Sequence, residues 1–585
     1  MLKLSQLFTK TLRDDPADAE VASHKLLVRA GYIRQVGPGI FTWLPLGLKV
    51  LQKIEAIADQ EMQAIGAQKV HFPALIPREP YEKTNRWTEY GPNIFRLQDR
   101  KQADYLLAPT HEEMFTLLAK DMLNSYKDLP VALYQIQTKY RDEARPRAGL
   151  LRGREFIMKD AYSFDLDADG LNESYQLQRS AYKKIFERLG LEYKIVQAQS
   201  GAMGGSNSEE FLSPTPIGED TFVIAPSGYA ANVEAAKIKV PADLLDDEIA
   251  KLPALQNKNT PNAKTIDEVS KFLGTKPEQM LKAVYLTLIH PVQNKKARDK
   301  TSKREVVLFY VPGDREIDVK RVESTFPTCE IEQTTPSDLE NYPELVAGFV
   351  GPDSERKVRE YFDELVFKGS SWVVGGNEVD VHSVNCVAGR DFETSNVLGL
   401  VQIREGDQAF DGSGAFEISR GVEIGHIFAL GDKYSKAFDF KVLDQNGKAV
   451  TPLMGSYGIG VTRALALLAQ NYCDEKGLAW PKSVAPAVVH IVVASKEDSA
   501  YDNALKFAST LETNGVEVLL DDRKSTSPGV KFKDAELLGV PYIAVFGRGL
   551  DADTPAIEFK ERDGSNVQDL PLSKAAQTVL EVVKS

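Results

Sequence analysis

An arginine-rich stretch between two apolar segments, residues 141–160, limits the possible folds of this chain more than any other part of its sequence. Arg141 and Glu143 lie two apart on a segment that the pattern predicts to be extended, so both side chains project from one face of a strand. A loop rich in guanidinium groups follows, and Phe156 opens the next apolar strand. Guanidinium groups bind phosphate in two-point contacts, and an aromatic ring stacks on a base. The stretch therefore predicts a nucleotide site rather than a solvated basic loop.

A second motif, residues 455–463, begins as a strand, passes through a glycine-rich turn and enters a helix. Gly458 and Gly460 would allow the backbone to approach a ligand closely, and Arg463 falls in the first turn of the helix, from which it can reach a phosphate. A single turn of this kind more often serves tight packing than binding. Together with the arginine-rich stretch, however, it indicates a nucleotide site.

The two motifs resemble motifs 2 and 3 of the class II aminoacyl-tRNA synthetases. Their amino-acid sequences are similar to those of the bacterial-type prolyl-tRNA synthetases. The resemblance implies that Arg141 contacts the α-phosphate of ATP and that Arg463 reaches its γ-phosphate, helped by Mg²⁺. These two arginines are then the catalytic residues, because positioning and charge stabilisation do the work and no protein nucleophile is required. Glu143 and Phe156 are implied to hold adenine. The implied ATP-binding set is Arg141, Glu143, Arg152, Phe156, Gly458, Gly460 and Arg463.

The resemblance also assigns a proline pocket. Thr110 and Glu112 lie at the start of a predicted helix, where a carboxylate either caps the helix or pairs with the ammonium group of a substrate. Residues 419–428 alternate apolar and polar side chains as a strand does, and His426 on this strand is implied to contact the substrate. The implied proline-binding set is Thr110, Glu112, Arg141, His426 and Ser456.

Residues 47–65 carry apolar side chains at a helical period, and a strand-like segment, 70–75, follows them. Periodicity alone describes an ordinary core helix equally well. The pair resembles motif 1 of the class II family, which forms the dimer interface there. A homodimer is therefore expected.

Between the two nucleotide motifs, residues 224–405 leave the synthetase pattern over a span long enough for a separate domain. The span contains predicted buried strands at 283–289 and 306–311, and it resembles the inserted editing domain of the family, which is related to deacylases of mischarged tRNA. Such an insert has a physical reason. In a proline pocket, an amino acid that is smaller by one methylene loses only about 1–3 kcal/mol of binding free energy, so a second pocket must remove the mischarged product. The implied editing residues are Lys282, Gly351, Pro352 and His382.

From residue 485 onward, strands and helices alternate, which predicts an α/β domain. The domain resembles the anticodon-binding domain of the family. Basic side chains in this domain and in the loop after Arg141 are candidates for tRNA contacts, since they can hydrogen-bond and stack on exposed bases. These candidates are Arg145, Arg147, Arg523, Lys531 and Lys533.

Composition excludes several other classes of protein. A length of 585 residues fits about three or four domains. The net charge of -13 argues against a nonspecific coat on nucleic acid, so RNA contacts must be local and no DNA partner is expected. The three cysteines form no Cys-x-x-Cys pair, and neither a disulfide framework nor a zinc or other metal site is predicted. No export segment or membrane span is predicted, and the cytoplasm is the expected location.

We therefore predict a multidomain α/β protein with a class II antiparallel-sheet catalytic core at 1–223 and 406–484, an inserted α/β editing domain at 224–405, and a C-terminal α/β anticodon-binding domain at 485–585. Its expected function is to activate proline with ATP as prolyl-adenylate, to transfer proline to the 3' end of tRNA(Pro), and to hydrolyse mischarged tRNA such as alanyl-tRNA(Pro). Two alternatives stay open: a class II synthetase for another amino acid, and a regulatory or tRNA-binding paralogue without activity. A threonyl enzyme is disfavoured because no Cys and His set is available for its zinc.

Overall fold

The computed structural model describes residues 1–198, 205, 207–290, 303–326, 329–394, 396–547, 550 and 554–584. The chain divides into two compact units. The first unit consists of Met1–Lys194, Met203–Ile217 and Val422–Ser585, and the second of Ile195–Ala202 and Gly218–Gly421. The predicted insert, 224–405, lies within the second unit, which extends further at both ends.

The α-helices of the described residues are, in chain order, α1 Ala22–Arg29, α2 Pro45–Ala64, α3 Arg78–Lys83, α4 Arg86–Glu89, α5 Glu112–Met122, α6 Ala168–Leu189, α7 Asp246–Ile249, α8 Ile266–Leu273, α9 Val319–Thr325, α10 Pro336–Leu339, α11 Lys433–Ala437, α12 Val461–Asn471, α13 Asp498–Thr513, α14 Pro528–Leu538 and α15 Leu572–Lys584. The strands are β1 Leu2–Lys3, β2 Ile33–Gly37, β3 Ile40–Trp43, β4 Gln68–Lys69, β5 Leu75–Pro77, β6 Arg96–Gln98, β7 Asp104–Leu107, β8 Val131–Tyr140, β9 Glu155–Asp165, β10 Lys194–Gln197, β11 Asn207–Pro214, β12 Asp220–Ile224, β13 Ala230–Asn232, β14 Gln256–Asn259, β15 Leu281–His290, β16 Lys303–Pro312, β17 Glu330–Gln333, β18 Arg359–Asp363, β19 Ser371–Gly375, β20 Val381–Val387, β21 Val397–Leu398, β22 Glu417–Gly431, β23 Val442–Leu443, β24 Ala449–Val450, β25 Leu453–Gly460, β26 Cys473–Asp474, β27 Gly477–Leu478, β28 Val489–Val493, β29 Val518–Asp521, β30 Tyr542–Phe546, β31 Ala556–Glu561 and β32 Gln568–Pro571.

The core of the first unit is an antiparallel sheet in which β22, β25, β9 and β8 lie side by side, with β4 parallel to β8 at the edge. The arginine-rich stretch forms the loop between β8 and β9, and this pairing ends at Tyr140 and Glu155. The glycine-rich motif is β25, which pairs with β9 and leads into α12. Since alternate side chains of a strand share a face, the two predicted motifs present their polar residues on one side of this sheet.

The segment after α2 differs from its prediction. α2 itself is the expected helix, begun by Pro45, but the strand predicted at 70–75 is wrong for residues 70–74, since β4 ends at Lys69 and β5 begins at Leu75. The Phe72 N–H donates to Gln135 Oε1 at 3.0 Å, and the Phe72 carbonyl accepts from Gln137 Nε2. Pro73 has no N–H to give a neighbouring strand. Side chains of β8 therefore form the hydrogen bonds at Phe72 that the backbone of a neighbouring strand was expected to form.

The second unit contains a five-stranded sheet, ordered β17-β15-β16-β18-β21, and a three-stranded sheet, ordered β14-β20-β19. The strands predicted at 283–289 and 306–311 are found as β15 and β16, an antiparallel pair that is longer than predicted at both ends. The side chains of this pair alternate between two hydrophobic cores, with Val284 in one and Tyr285 bordering the other. The five-stranded sheet therefore separates two faces of the unit.

The C-terminal part of the first unit is a six-stranded sheet, ordered β1-β29-β28-β30-β31-β32, with α13, α14 and α15. The strand and helix alternation predicted from residue 485 is confirmed. The first residues of the chain supply an edge strand that sequence reasoning did not foresee: Leu2 pairs in parallel with Leu519. A strand of two residues carries no periodic signal that could have predicted it.

His490 is buried in the middle of this sheet, on β28. Both of its ring nitrogens lack a hydrogen-bond partner among the described residues. Burial lowers the pKa of His490 to about 4, against an ordinary value of 6.5. The folded protein therefore keeps this ring neutral at pH values where an unfolded chain takes up a proton.

Stability is therefore expected to fall as the pH drops from about 6.5 towards 4, because protons then bind the unfolded state preferentially. Between pH 7 and pH 5 this loss amounts to about 2 kcal/mol for His490. Replacing the ring with an apolar side chain, His490→Leu, should flatten the dependence of the melting temperature on pH. Differential scanning calorimetry at several pH values measures it, and equal slopes for variant and wild type would contradict the expectation.

Candidate active site

Arg141 and Phe156 lie together on one face of the central sheet. Lys139 pairs with Phe156 across β8 and β9, and Arg141, two residues further, continues the same face. The Arg141 guanidinium stands 5.1 Å from the centroid of the Phe156 ring, and its buried Nε has no hydrogen-bond partner among the described residues. A cation and an aromatic ring thus lie side by side, as recognition of a phosphate and a base requires.

The loop after Arg141 neutralises part of its own charge. Glu143 Oε2 lies 2.9 Å from Arg152 Nε, and Glu143 Oε1 accepts from the Arg145 N–H at 3.2 Å. The Arg147 N–H donates to the Arg152 carbonyl at 3.2 Å, which closes the loop on itself. Glu143 and Arg152, both predicted to bind ATP, therefore contact each other, whereas Arg145 and Arg147, predicted to bind tRNA, are exposed.

Arg463, on α12, forms hydrogen bonds with the loop before β9 and with β22. Its Nε donates to the Leu151 carbonyl at 3.1 Å, and its Nη1 donates to the Glu423 carbonyl at 2.7 Å and to Glu423 Oε2 at 3.1 Å. Burial would raise the pKa of Glu423, but the side chains of His426 and Arg463 lower it to about 2. Glu423 is therefore an anion at neutral pH, held against the arginine predicted to contact ATP.

The glycines of β25 differ in what surrounds them. A Cβ on Gly455 would lie 1.9 Å from the Tyr457 hydroxyl, so packing alone excludes a side chain there. A Cβ on Gly458 would meet only Met158, with Sδ at 3.6 Å, which is an ordinary contact. A Cβ on Gly460 would lie 3.2 Å from the Cβ of the arginine three residues later. Of the three, Gly458 is the one that borders open space on the face shared with Ser456.

Thr110, Glu112 and Ser456 meet at the start of α5. Glu112 is 1 % exposed, and its two carboxylate oxygens accept from different hydroxyl groups. Oε2 accepts from Thr110 Oγ1 at 2.6 Å, and Oε1 accepts from Ser456 Oγ at 3.2 Å. Three of the residues predicted to bind proline are thus in direct contact.

Arg86 completes this group, and sequence reasoning missed it. Its Nη1 lies 2.9 Å from Glu112 Oε2 and 3.1 Å from Glu113 Oε2, and all three side chains are buried. The guanidinium also stands 5.1 Å from the ring centroid of Tyr90 and 5.8 Å from that of Tyr434. Arg86 belongs to the four-residue helix α4, whose sequence shows no period or motif that could have pointed to a site.

The charges of the two glutamates differ because they share one cation. Burial would raise the pKa of Glu112, but Arg86 and the Thr110 hydroxyl outweigh it and lower the pKa below its ordinary value. Burial raises the pKa of Glu113 in spite of Arg86, and the charge of Glu112 adds to that rise. Glu112 therefore ionises more readily than Glu113.

His426 has partners other than those predicted. Its Nε2 lies 2.5 Å from Ser208 Oγ, and its Nδ1 lies 3.0 Å from Glu423 Oε1 and 3.6 Å from Glu210 Oε1. These contacts tie His426 to the carboxylate that Arg463 binds. The structure thus associates His426 with the predicted phosphate end of the site.

The same cluster has the composition of a possible cation site that sequence reasoning did not propose. One ligand atom each from Glu210, Glu423 and His426 lies within 4.8 Å of the others. Glu210, on β11, is far in the sequence from Glu423 and His426 on β22, so no spacing pattern could have revealed the cluster. Carboxylate oxygens are suitable ligands for Mg²⁺.

In the second unit, Gly351 is fixed on both sides. Its N–H donates to Asn377 Oδ1 at 2.9 Å, and its carbonyl accepts from the Tyr310 hydroxyl at 2.9 Å and from Arg356 Nη1 at 3.1 Å. A Cβ on Gly351 would lie 2.0 Å from the Gly375 carbonyl oxygen, so no larger residue fits. The predicted editing loop, with half-buried Pro352 next in the chain, is therefore held rigidly.

The other two predicted editing residues lie in different surroundings. His382 pairs with Gly375 in the three-stranded sheet, its Nδ1 lies 2.7 Å from Thr260 Oγ1, and burial lowers its pKa. Lys282 Nζ donates to Glu316 Oε1 at 2.7 Å. Lys282 shares the face of β15 that carries Val284. Tyr310, whose hydroxyl donates to the Gly351 carbonyl, belongs to the opposite face of the sheet. The structure brings His382 to the glycine loop but shows no hydrogen bond from Lys282 to it.

The three C-terminal tRNA candidates differ in exposure. Lys533 is exposed, and Arg523 is partly buried and paired with Asp521 and Asp534, with Nη2 at 2.6 Å and 2.8 Å. Lys531 is only 1 % exposed, and its Nζ donates to a backbone carbonyl at 2.7 Å. A buried ammonium group cannot contact RNA at the surface, so the structure removes Lys531 from the predicted set.

Within the part of the chain that the structure describes, no helix combines the length and the apolar character needed to cross a membrane.

Comparison with known families gives two matches. Residues 95–472 match the family described as tRNA synthetase class II core domain (G, H, P, S and T), and residues 487–582 match the anticodon binding domain. The proline–tRNA ligase of Bifidobacterium longum is 54% identical to this chain, with 99% of both chains covered. That of Kineococcus radiotolerans is 52% identical, with 100% of both covered.

Solved structures show the same fold at low identity. The Giardia lamblia prolyl-tRNA synthetase in complex with prolyl-adenylate matches with a TM-score of 0.58 and 15% identity, over 96% of this chain and 78% of that one. The Cryptosporidium parvum prolyl-tRNA synthetase complexed with halofuginone and AMPPNP matches with a TM-score of 0.56 and 14% identity, over 96% and 76%.

Proposed function

The chain belongs to the proline–tRNA ligases, class II synthetases that charge tRNA(Pro) with proline using ATP, and we propose that the reaction takes place around Glu112, Arg141 and Arg463. The proline carboxylate attacks the α-phosphorus of ATP, pyrophosphate leaves, and prolyl-adenylate forms. A terminal ribose hydroxyl of the tRNA then attacks the prolyl carbonyl carbon, and AMP leaves. Neither step needs a protein nucleophile, because positioning and charge stabilisation suffice.

The observation that carries this assignment is the buried, ionised Glu112 beside two hydroxyl groups. The ammonium group of proline has N–H donors and a positive charge, and Glu112 with Thr110 offers it acceptors of opposite charge. Arg86 keeps Glu112 ionised despite burial, which an unpaired carboxylate could not sustain. Ser456 holds the second carboxylate oxygen and so fixes the orientation of the group.

At the other end, Arg141 is suited to the α-phosphate and Arg463 to the γ-phosphate. The Arg141 guanidinium already lies over Phe156, so a base stacked there would sit beside the charge that binds its phosphate. Glu143 and Arg152, paired with each other, border this region as the proposed adenine contacts. Charge on the phosphates increases towards the transition state, and fixed arginines stabilise it without reorganisation.

The donor set at Glu423 fits Mg²⁺. Glu423 is ionised, and Glu210 adds a second carboxylate within reach, whereas the imidazole of His426 suits magnesium less well than oxygen does. We assign the two glutamates as its ligands, with His426 orienting Glu423. When bound, Mg²⁺ would neutralise part of the phosphate charge.

ATP–pyrophosphate exchange with each standard amino acid tests the assignment. Proline alone, or proline with a weaker alanine signal, should drive exchange, and Arg463→Ala should lower it by about 100-fold or more because a phosphate contact is lost. An exposed arginine without a role in the proposal, Arg100→Ala, serves as the matched control and should leave exchange unchanged.

Exchange driven only by another amino acid would replace proline as the substrate. A folded protein that gives no exchange with any amino acid would favour the regulatory paralogue. Equal activity of Arg463→Ala and wild type would remove Arg463 from the ATP site.

The C-terminal domain is the proposed site of tRNA(Pro) recognition. Its match to the anticodon binding domain supports this placement, and exposed Lys533 together with Arg523 offers donors for bases that are unstacked in an anticodon loop. Arg145 and Arg147, exposed on the loop beside the active site, are proposed to contact the acceptor end. Charging of tRNA during protein synthesis places the protein in the cytoplasm.

We further propose that the second unit hydrolyses mischarged alanyl-tRNA(Pro), with water attacking the ester carbonyl and releasing alanine and free tRNA. Its support is a separate compact unit with a clamped glycine loop, Gly351–Pro352, next to the buried ring of His382. Lys282, paired with Glu316, would act on the tRNA rather than in the loop, because its side chain lies on the other face of the sheet. Discrimination by size in the first pocket is limited, which gives such a unit its purpose.

Hydrolysis of purified alanyl-tRNA(Pro) by the full-length protein tests the editing proposal. Lys282→Ala should slow hydrolysis by about tenfold or more while charging with proline stays within about twofold. Lys276→Ala, which removes an exposed lysine paired with Glu278, is the matched control. Absence of hydrolysis by wild type would refute editing, and normal hydrolysis by Lys282→Ala would refute the role of Lys282.

We also propose that the protein is a homodimer that associates through the sheet of β5, β7 and β6. Leu75 stands opposite Leu107, and Leu97 opposite Tyr105, so these four side chains share one face. Leu75 is 46% and Leu97 39% exposed, whereas Ile76 and Leu106 on the other face are buried. An exposed apolar face in the segment that follows the helix resembling motif 1 is the expected site of association.

Sedimentation velocity tests the dimer. The double variant Leu75→Glu/Leu97→Glu should sediment as a monomer at concentrations where wild type is dimeric, because charges would be buried at the interface. Phe272→Glu, which changes an exposed side chain of the second unit, should leave the dimer intact. A monomeric wild type, or a dimeric double variant, would contradict the proposal.

A further inference from the structure

Lys139 is a fully buried lysine on the pocket face of the central sheet, two residues before Arg141. Its Nζ lies 2.9 Å from Asp160 Oδ2 and 2.5 Å from His111 Nδ1. None of these three groups belongs to the ATP or proline sets assigned above. Burying an ion pair is costly in free energy, so its persistence beside a binding pocket calls for a reason.

The ion pair extends to the start of α5 through a tyrosine. Asp160 Oδ2 also accepts from the Tyr162 hydroxyl at 3.0 Å. The Tyr162 oxygen in turn accepts from the His111 N–H at 3.2 Å and lies 3.3 Å from Thr110 Oγ1. One carboxylate thus reaches both the backbone and the hydroxyl of the segment that presents Glu112.

A second connection runs through the His111 ring. Its Nε2 lies 3.1 Å from the Pro73 carbonyl, which can only accept, so Nε2 carries the proton. Nδ1 is then an acceptor and receives a hydrogen bond from the Lys139 ammonium. Burial and the charge of Lys139 lower the pKa of His111 to about 4, which agrees with a neutral ring.

Thr110, His111 and Glu112 are consecutive, and two of them are bonded to the same ion pair by separate routes. The third, Glu112, accepts a hydrogen bond from Thr110 Oγ1 at 2.6 Å. A displacement of the ion pair would therefore move the hydroxyl and the carboxylate that we assign to the proline ammonium. The arginines at the phosphates have no hydrogen bond to this network.

We propose that Lys139 and Asp160 are positioning residues for the proline subsite: their ion pair fixes Thr110 and Glu112 through the Tyr162 hydroxyl and the His111 ring. The inference rests on the proposed function of that subsite. It makes a selective prediction, because the hydrogen bonds of the network lead to Thr110 and His111 at the amino-acid end of the pocket. Loss of the network should weaken proline binding and leave ATP binding intact.

The same sheet supplies a matched control. Lys159, on β9, is also fully buried, but its side chain lies on the opposite face, where Nζ donates to the Tyr182 hydroxyl at 2.6 Å and to the Tyr457 carbonyl at 3.1 Å. A general effect of removing a buried lysine from this sheet should appear in Lys159→Met as well as in Lys139→Met. An effect on proline alone should appear only in the latter.

The experiment measures KM for proline and KM for ATP by ATP–pyrophosphate exchange with full-length wild type, Lys139→Met, Tyr162→Phe and Lys159→Met. Lys139→Met and Tyr162→Phe should raise KM for proline about tenfold, with KM for ATP within about twofold. Lys159→Met should leave the ratio of the two constants as in wild type. Tyr162→Phe keeps the ring that stacks on Phe115 and removes only the hydroxyl, so it decides the matter if Lys139→Met does not fold.

Equal rises in both constants, or an unchanged KM for proline in Tyr162→Phe, would overturn the positioning role. The same holds if Lys159→Met raises KM for proline as much as Lys139→Met does. A wild type without proline-dependent exchange would overturn the proposed function and this inference with it. Proline-dependent exchange in wild type with unaffected variants would overturn the inference alone.

Discussion

The amino-acid end of the site depends on one buried cation. Arg86 lies between Glu112 and Glu113, and its Nη1 contacts both carboxylates. A carboxylate buried without such a partner takes up a proton, and a neutral Glu112 could not attract an ammonium group. Arg86 lowers the pKa of Glu112 below its ordinary value, whereas burial and the charge of Glu112 raise that of Glu113. Arg86 therefore contributes to recognition by setting the charge of the residue proposed to touch proline.

Charge is balanced in the opposite sense at the phosphate end. There Arg463 and His426 both contact Glu423, so this carboxylate lies against two donors. In the proposed site, Arg463 would bind the phosphates of ATP, and Glu423 would hold the Mg²⁺ that supplies the compensating positive charge. Arg463 and Glu423 hold each other in place until then, so the substrate meets groups that are already ordered. The site thus pairs its charged side chains separately at the amino-acid end and at the phosphate end.

Sequence reasoning worked where a local pattern encodes a structural demand. Sequence reasoning correctly placed Phe156 at the opening of a strand, β9, although it extended the preceding strand to Arg141 and Glu143, beyond the end of β8 at Tyr140. It failed where partners come together only in the fold: Arg86 lies in a helix of four residues, and Gln135 replaces a strand backbone at Phe72. Lys531 was taken for a surface group because its burial depends on packing against β28, which charge patterns do not reveal.

The two buried lysines of the central sheet show why the roles of Lys139 and Lys159 could not be told apart from sequence. Both lie on strands that flank the arginine-rich loop, both are fully buried, and burial lowers the pKa of each. Only the pocket-side lysine has a carboxylate in hydrogen-bonding contact, Asp160; the other has a phenol and a carbonyl. Neutral acceptors suffice where a lysine merely fills a core. The ion pair of Lys139 and Asp160 fixes the orientation of its side chains by charge as well as by packing. The proposed function requires such a fixed orientation of the segment that carries Glu112.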